Sequence, residues 1–339
     1  MTIPVGIPPE PVPERSLNFE HTVDPELIHR QNPSESFLTD VVPTGPRGFV
    51  AAALLPEEHP HYTAHTGPSG RRDPMLLLEC ARQAVTYAAH TMFGVDTQAR
   101  FLLRATSASF PAPAAPASAG PTELVLTATT SSPRLVRGKV QGLDYELELR
   151  TADSWAGRVT MDVGFISGPA YTMIRASKHG GPPPTSDDLD PVTGQPVDPV
   201  RVGRLRATDT LLLDVATLPD ATIARLRVPA TNPSLFDHAQ DHVPGMVLVE
   251  AARQVAALAI ERGGGAEPDR TTMVGLSASF GAYAELNEPV DLTATPVAAA
   301  QAGQRAFEVI FRQAATDVAR TTISMAVPAS VRRPHQSGG

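Results

Sequence analysis

The chain has 339 residues, of which 42% are hydrophobic and 19% charged, and its formal net charge is −8 at pH 7. This length accommodates two domains of ordinary size, and the acidic charge argues against a general nucleic-acid binder. The single Cys80 excludes an internal disulfide and a cysteine-based zinc site. No apolar run reaches the length of a membrane span, and no signal-peptide pattern opens the chain. We therefore expect a cytoplasmic protein that binds neither nucleic acid nor membranes.

The first half of the chain predicts one folded unit over residues 17–167, preceded by a proline-rich, disordered lead at 1–16. Two short β-type runs between residues 35 and 55 are followed by a histidine-rich loop at 59–74, HPHYTAHTGPSGRRDP. Next comes an apolar helix within 73–90. After it the pattern changes to strands in Val-, Thr- and Leu-rich alternation.

The second half repeats this order of elements. Residues 168–203 form a linker, in which three consecutive prolines and several glycines argue against a packed element. A second folded unit is predicted over 204–328, with early strands, a loop, a long apolar helix at 246–262 and late strands. Residues 329–339 are predicted to be a disordered tail.

An internal duplication relates the two helices. Each helix carries the pattern E-x-x-R-Q, first at Glu79, Arg82 and Gln83 and again, 171 residues later, at Glu250, Arg253 and Gln254. At 3.6 residues per turn these side chains form a polar seam on one side of a helix that is otherwise apolar. Burying a charge costs free energy unless it is paired or hydrogen-bonded, so such a seam needs a reason, and catalysis is one.

The order of elements predicts an α+β fold. Each unit places strands before and after one long helix, and a sheet that wraps around this helix would cover most of its apolar surface. This is the hotdog architecture. We predict a tandem double hotdog, in which two antiparallel sheets, each wrapped around one long central helix, form an intrachain pseudo-dimer. Such units typically join edge to edge, and the chain would be a monomer with an internal pseudo-twofold axis or a homodimer.

Four segments carry a resemblance to a known family. They are HRQNPSESFLTDV (29–41), HPHYTAH (59–65), DPMLLLECARQA (73–84) and DHVPGMVLVEAARQVA (241–256). Together they resemble the AfsA-type family of A-factor biosynthesis hotdog proteins, over roughly residues 27–166 and 204–327. The Pro-Gly turn before the second helix is also similar to that of hotdog dehydratases that act on acyl carrier protein.

The resemblance implies an acyltransferase that moves a β-ketoacyl group from acyl carrier protein to dihydroxyacetone phosphate. The ester would then cyclise toward the precursor of a γ-butyrolactone or furan autoregulator. The phosphopantetheine of acyl carrier protein would deliver the acyl group, so no cofactor of the protein's own and no metal ion is expected. Because the first-half loop HTGPSGRRDP replaces DHVPG, we expect one pocket that uses residues from both halves.

Acyl transfer from a thioester to a hydroxyl needs a base, donors for the developing oxyanion, and positive charge for the acceptor phosphate. Glu250, on an apolar helix, would have a raised pKa and act as the base. Arg253 would bind the phosphate or a carboxylate partner, and Glu79 and Arg82 would supply the same groups from the other helix.

The start of the second helix offers further candidates. The N–H groups around Gly245 and Met246 would donate hydrogen bonds to the thioester oxygen. His242 would act as a general base or acid, unless it or Asp241 only caps the loop. The predicted substrate-binding residues are Gly245, Met246, Asp241, Gln254 and Gln83.

A purely structural interpretation of the seam stays open. If the helices pack across a pseudo-twofold axis, Glu79 would pair with Arg253. Glu250 would then pair with Arg82, and the four side chains would form a buried ionic clamp. The neighbouring Cys80 is more typical of a small buried thiol than of a nucleophile.

Three functions therefore compete: the acyltransferase, a hotdog dehydratase or thioesterase, and a non-catalytic protein that binds an acyl group or a lactone. The duplicated arginine favours a phosphate-bearing acceptor over dehydration.

Basic residues of the second unit would either dock acidic carrier protein or lie on exposed strand faces; they are Arg201, Arg204, Arg206, Arg225 and Arg227.

Overall fold

A computed structural model describes most of the chain. The described residues are 17–66, 72–112, 120–152, 154–189, 193–264 and 266–327. The predicted disordered lead at 1–16 and the predicted tail at 329–339 lie outside them. Among the described residues, no helix combines the length and the apolar character needed to cross a membrane.

Among the described residues, strands make up most of the regular secondary structure, and three α-helices accompany them. The helices are α1 (Pro74–Thr91), α2 (Gly168–His179) and α3 (Gly245–Arg262). The strands of the first half are β1 (Leu38–Gly45), β2 (Gly48–Leu55), β3 (Arg100–Ser109), β4 (Thr122–Thr130), β5 (Arg134–Val136), β6 (Lys139–Arg150) and β7 (Trp155–Ile166). Those of the second half are β8 (Leu212–Thr217), β9 (Thr222–Leu226), β10 (Thr272–Phe280), β11 (Asp291–Val297), β12 (Gln304–Gln313) and β13 (Thr316–Ala326).

The strands of the described residues form one 13-stranded sheet, not two. Its order is β1-β2-β4-β6-β7-β3-β10-β13-β12-β11-β9-β8, and β5 pairs with β6 beside this path. The halves meet where β3 pairs antiparallel with β10, which sets Ser107 opposite Ser277. These serines are equivalent in the duplication, so the strand pair lies on a pseudo-twofold axis. The two predicted sheets are thus joined edge to edge into one continuous antiparallel sheet, as expected of two such units.

The two long helices each lie against the strands of their own half. Helix α1 contacts β1, β2, β6 and β7, and α3 contacts every strand from β8 to β13. This contact explains why both helices are apolar on nearly every side. The carboxylates of their polar seams, Glu79 and Glu250, are 0% exposed.

Helix α2 corrects the prediction that residues 168–203 hold no packed element. Pro169 lies in the first turn, where its missing N–H costs nothing, and Gly180 ends the helix with a left-handed φ of 68°. The triple proline begins only after this glycine. The helix is anchored by Arg175, whose side chain is 1% exposed and contacts the second half.

The seam glutamines attach each helix to a strand. The Gln83 side chain accepts the N–H of Phe37 over 2.9 Å and donates to the carbonyl of Glu35 over 2.7 Å. In the second half, Gln254 accepts the N–H of Leu211 over 2.8 Å in the same way. Both amides thus satisfy backbone groups at the start of the first strand of their half.

We expect Gln83→Ala to lower the free energy of unfolding by about 3 kcal/mol, because it leaves a buried N–H and a buried carbonyl without partners. Urea denaturation measures this change. Gln98→Ala is the control, since Gln98 is exposed and its loss should cost under about 0.5 kcal/mol. Equal unfolding midpoints for the two variants would contradict the anchoring role.

Candidate active site

The polar seam of α1 surrounds one buried carboxylate. Arg82 donates from Nε to Oε2 of Glu79 over 2.8 Å and from Nη2 to Oε1 over 2.8 Å. Arg30 reaches Oε1 from the segment before β1, with Nη2 at 2.6 Å. Gln83 donates to the same oxygen over 2.7 Å. Two guanidinium groups and an amide therefore hold Glu79 as a carboxylate.

The seam of α3 has the same geometry. Arg253 donates from Nε to Oε2 of Glu250 over 2.8 Å and from Nη2 to Oε1 over 2.6 Å. Arg204, which is fully buried, takes the place of Arg30 and donates from Nε to Oε1 over 3.0 Å. Gln254 completes the set at 2.7 Å.

The predicted pairing across the two helices was therefore wrong. Glu79 pairs with Arg82 and Glu250 with Arg253, because residues three positions apart on one helix lie side by side. The second arginine of each set comes from a preceding segment of the same half. The buried ionic clamp is present, but each glutamate is bound by arginines of its own half.

The predicted raised pKa of Glu250 was also wrong. Burial alone would raise it, but the charges of Arg204 and Arg253 outweigh burial and hold the pKa below its usual range. For Glu79, burial is likewise outweighed by Arg30 and Arg82, and the pKa falls to about 2. Both groups are ionised at neutral pH and surrounded by donors, which suits positioning an arginine better than taking a proton.

Each seam arginine keeps one donor for a ligand. Nη1 of Arg82 and Nη1 of Arg253 make no hydrogen bond with any described residue. The side chain of Arg82 is 22% exposed and that of Arg253 is 12% exposed. Each guanidinium is thus fixed on one side and open on the other.

His242 belongs to a hydrogen-bonded network in the loop before α3. Its Nδ1 lies 2.7 Å from Oδ1 of Asp241. The same oxygen accepts a hydrogen bond from the hydroxyl of Tyr171 over 2.7 Å. Arg175 donates to Oδ2 of Asp241 over 3.0 Å. Burial would raise the pKa of Asp241, but hydrogen bonds from His242 and Tyr171 outweigh it and lower the pKa.

This network leaves Nε2 of His242 without a hydrogen bond to the described residues. The imidazole packs edge-on against Tyr283, with ring centroids 4.8 Å apart. Tyr283 also lines a cavity of about 270 Å³ together with Lys178 and Glu285, but none of the predicted site residues does.

The two long helices begin differently. Asp73 caps α1 by accepting the N–H of Met75 over 2.9 Å, and its carboxylate also lies 3.1 Å from Arg204. Helix α3 has no side-chain cap. The N–H groups of Gly245 and Met246 make no hydrogen bond within the described chain, so the positive end of this helix is open.

Loops from each half contact the other half. Ser234 donates to the buried Glu35 over 2.8 Å, and Asp237 accepts the N–H of Asn32 over 2.9 Å. From the first half, the loop with His61 reaches the second, where Nδ1 of His61 lies 2.9 Å from Oδ1 of Asp209. Loops of the two halves therefore meet around the helices, and the single pocket shared by both halves stays a prediction.

His29 lies where the two halves meet. Burial, together with the nearby Arg82, His90, His238 and Arg100, lowers its pKa to about 3. Arg82 belongs to α1, whereas His238 comes from the loop before α3. We call Arg82, His29, His238 and Arg100 the cross-half site. Through Arg100, which lies 5.8 Å from the ring of Tyr171, this site adjoins the His242 network.

Several of these roles were not identified from the sequence. Arg204 was expected to dock carrier protein or to lie on an exposed strand face, and this was wrong, because it is fully buried and bound to the carboxylate of α3. Arg30 and Arg204 occupy equivalent places 174 residues apart, so a closer comparison of the two halves could have found them. Tyr171 and Arg175 carried no such signal, because they lie in the segment interpreted as a linker. Cys80 is buried, and burial raises its pKa well above the usual value, as expected for an inert thiol.

Comparison with known proteins identifies the family. The A-factor biosynthesis hotdog domain, AfsA, matches residues 13–167 and 185–329. The chain belongs to the AfsA family. The resemblance found in the sequence is thereby confirmed, and the hotdog domain occurs twice, once in each half.

Two AfsA-type relatives cover most of the chain. A protein of Streptomyces virginiae is 34% identical over 301 residues, which are 88% of this chain and 95% of that protein. One of Streptomyces coelicolor is 31% identical over 88% of this chain and 90% of that protein. Both are named "2-oxo-3-(phosphooxy)propyl 3-oxoalkanoate synthase". The solved 12:0-ACP thioesterase of Umbellularia californica aligns with a TM-score of 0.48 and 8% identity, over 81% of this chain and 93% of that one.

We expect Glu79→Gln to lower the free energy of unfolding at pH 7 by about 3–5 kcal/mol, because it leaves two buried guanidinium groups without their carboxylate. The pKa of Glu79 is lowered from 4.5 to about 2 in the folded chain. The carboxylate therefore stabilises the fold above about pH 4.5, and this contribution is lost as the pH falls toward 2.

Urea denaturation at pH 7 and pH 3.5 tests this pH dependence, and the gap between wild type and variant should narrow at the lower pH. Glu308→Gln serves as the control, since Glu308 belongs to a half-exposed pair with Arg320 that contributes under about 1 kcal/mol. A gap of the same size at both pH values would show that Glu79 is not the titrating group.

Proposed function

We propose that this AfsA-type chain is an acyltransferase that moves a β-ketoacyl group from acyl carrier protein to dihydroxyacetone phosphate, in the biosynthesis of a γ-butyrolactone or furan-type signal. The name shared by the relatives supports this, because it describes the ester of a 3-oxoalkanoic acid with dihydroxyacetone phosphate. In the reaction, the hydroxyl oxygen forms a C–O bond with the acyl carbon and the C–S bond breaks. The hydroxyl proton ends on the released thiol.

The observation that carries the proposal is the state of Arg82. It is held rigidly by an ionised Glu79, yet its Nη1 makes no hydrogen bond with the described residues. A fixed guanidinium of this kind binds phosphate or a developing oxyanion without having to reorganise. Arg253, held by Glu250, would supply the same charge in the second half.

The start of α3 would provide the remaining groups. The open N–H groups of Gly245 and Met246 suit the thioester oxygen, whose negative charge grows as the hydroxyl attacks. His242, oriented by Asp241, would move the hydroxyl proton through its open Nε2. Gln83 and Gln254 would act indirectly, by holding the two glutamates of the seams.

The overall arrangement fits this chemistry. Each half would be a hotdog unit with its long helix at the centre, so that the acyl chain could lie between helix and sheet. Acyl carrier protein would deliver the acyl group on phosphopantetheine, so no cofactor of the protein's own is needed. The reaction would take place in the cytoplasm, with the chain acting as a monomer or a homodimer.

We expect the purified protein to deacylate β-ketoacyl carrier protein only when dihydroxyacetone phosphate is present, as followed by the intact mass of the carrier protein. Arg82→Lys should lower kcat/KM about 10²–10³-fold, because an ammonium group cannot keep two bonds to Glu79 and still present a fixed donor. Arg253→Lys in the same assay reports whether the second seam contributes equally.

Arg312→Lys is the matched control, because Arg312 is 57% exposed and pairs with Asp317 on the surface. This variant should keep the wild-type rate. Deacylation without acceptor would make the protein a thioesterase, and no deacylation under either condition would favour a non-catalytic acyl-binding protein. Hydration of a crotonyl-type thioester would instead indicate a dehydratase.

A further inference from the structure

His29 and His90 form a hydrogen-bonded pair that the chemistry above does not use. Their Nε2 atoms lie 2.9 Å apart, and Nδ1 of His90 lies 2.9 Å from the carbonyl oxygen of Val95. Phe101 packs against both rings, with centroids at 4.7 Å from His29 and 5.1 Å from His90. The two imidazoles are therefore fixed in orientation as well as in hydrogen bonding.

The partners assign the protons of this pair. A carbonyl oxygen can only accept, so Nδ1 of His90 carries a proton. In the arrangement in which neither ring carries a charge, Nε2 of His90 accepts and Nε2 of His29 donates. The remaining nitrogen of His29, Nδ1, is left with a lone pair and makes no hydrogen bond within the described residues.

The backbone at His29 is unusual. Its φ is 54°, in the left-handed region that residues with a Cβ rarely adopt. At the equivalent place in the second half the chain has Gly203, with a φ of 73°, so the turn itself requires no imidazole. A side chain kept at a position where glycine is easier is a common mark of a functional site.

The seam of α1 holds this turn in place from both sides. Arg82 donates to the carbonyl of Ile28 over 3.2 Å, and Arg30 is bound to Glu79. His29 lies between Ile28 and Arg30 in the chain, so both of its neighbours are held by the seam. The same ion pair that fixes Arg82 thus also fixes the backbone that carries His29, while the bond to His90 fixes the ring.

The surroundings of His29 are rich in positive charge. Arg82 and Arg100 both lie close enough to lower its pKa, and Arg82 also donates to the carbonyl of the preceding residue, Ile28. This leaves a neutral acceptor among cationic groups. A ligand that matches this pattern carries an anionic group for the arginines and a hydroxyl for the lone pair.

We propose that His29 contacts the acyl acceptor, and that its Nδ1 accepts a hydrogen bond from the acceptor's free hydroxyl while the arginines of the cross-half site hold the phosphate. This inference rests on the proposed acyl transfer and names the residue that selects a phosphorylated alcohol over water. The hydrogen bond orients the hydroxyl oxygen, whose lone pair then faces the thioester carbon. Because the second half has Gly203, only the first half carries this contact.

The test compares wild type with His29→Gly, which copies the residue of the second half and suits the positive φ there; urea denaturation checks that the variant is folded. We expect kcat/KM for dihydroxyacetone phosphate to fall about 100-fold, mostly through KM. Added imidazole should restore part of the lost rate. His21→Gly, at an exposed position, is the control and should keep the wild-type rate with no response to imidazole.

Isothermal titration with dihydroxyacetone phosphate alone separates this inference from the transferase itself. Weaker binding by His29→Gly than by wild type supports the contact whether or not transfer is detected. Equal binding overturns it, even if wild type transfers the acyl group, and so does a wild type that does not bind the compound. A lost rate that imidazole does not restore, together with unchanged binding, would assign His29 a purely structural role.

Discussion

The structure depends on two carboxylates that are buried and yet ionised. Removing Glu79 or Glu250 from water costs several kcal/mol, and only close, well-oriented partners offset such a cost. Each glutamate has two arginines and a glutamine within hydrogen-bonding distance. Because these partners come from the helix and from a preceding segment, the requirement to neutralise one charge fixes several parts of each half at once.

Both halves contain this arrangement of buried ions, but the residues around it differ between the halves. In the first half the clamp supports His29 and its partner His90, whereas the second half has Gly203 and Glu261 at the matching places. Conversely, α1 begins with a capping aspartate, whereas α3 begins without a side-chain cap. The groups that we assign to the reaction therefore come from different parts of the two repeats.

The sequence revealed the helices, the seams and the duplication, because periodicity and repeated residues are visible locally. It did not reveal Arg30 and Arg204, whose partners lie about fifty residues further along the chain, and this omission led to the wrong pairing and the wrong pKa direction for Glu250. Helix α2 was missed because its neighbours are rich in proline and glycine. Contacts such as that of Arg175 with Asp241 depend on tertiary structure, which no local pattern encodes.

The pairing of Ser107 with Ser277 at the junction of β3 and β10 bears on how the two halves evolve. In a dimer of identical subunits, every mutation appears on both sides of such an axis. In a fused chain each side mutates alone, so an imidazole that helps one side can arise where the other keeps a glycine that folds more easily. The linkage also holds the halves at a high effective concentration, and a weakened junction is tolerated while the two copies diverge.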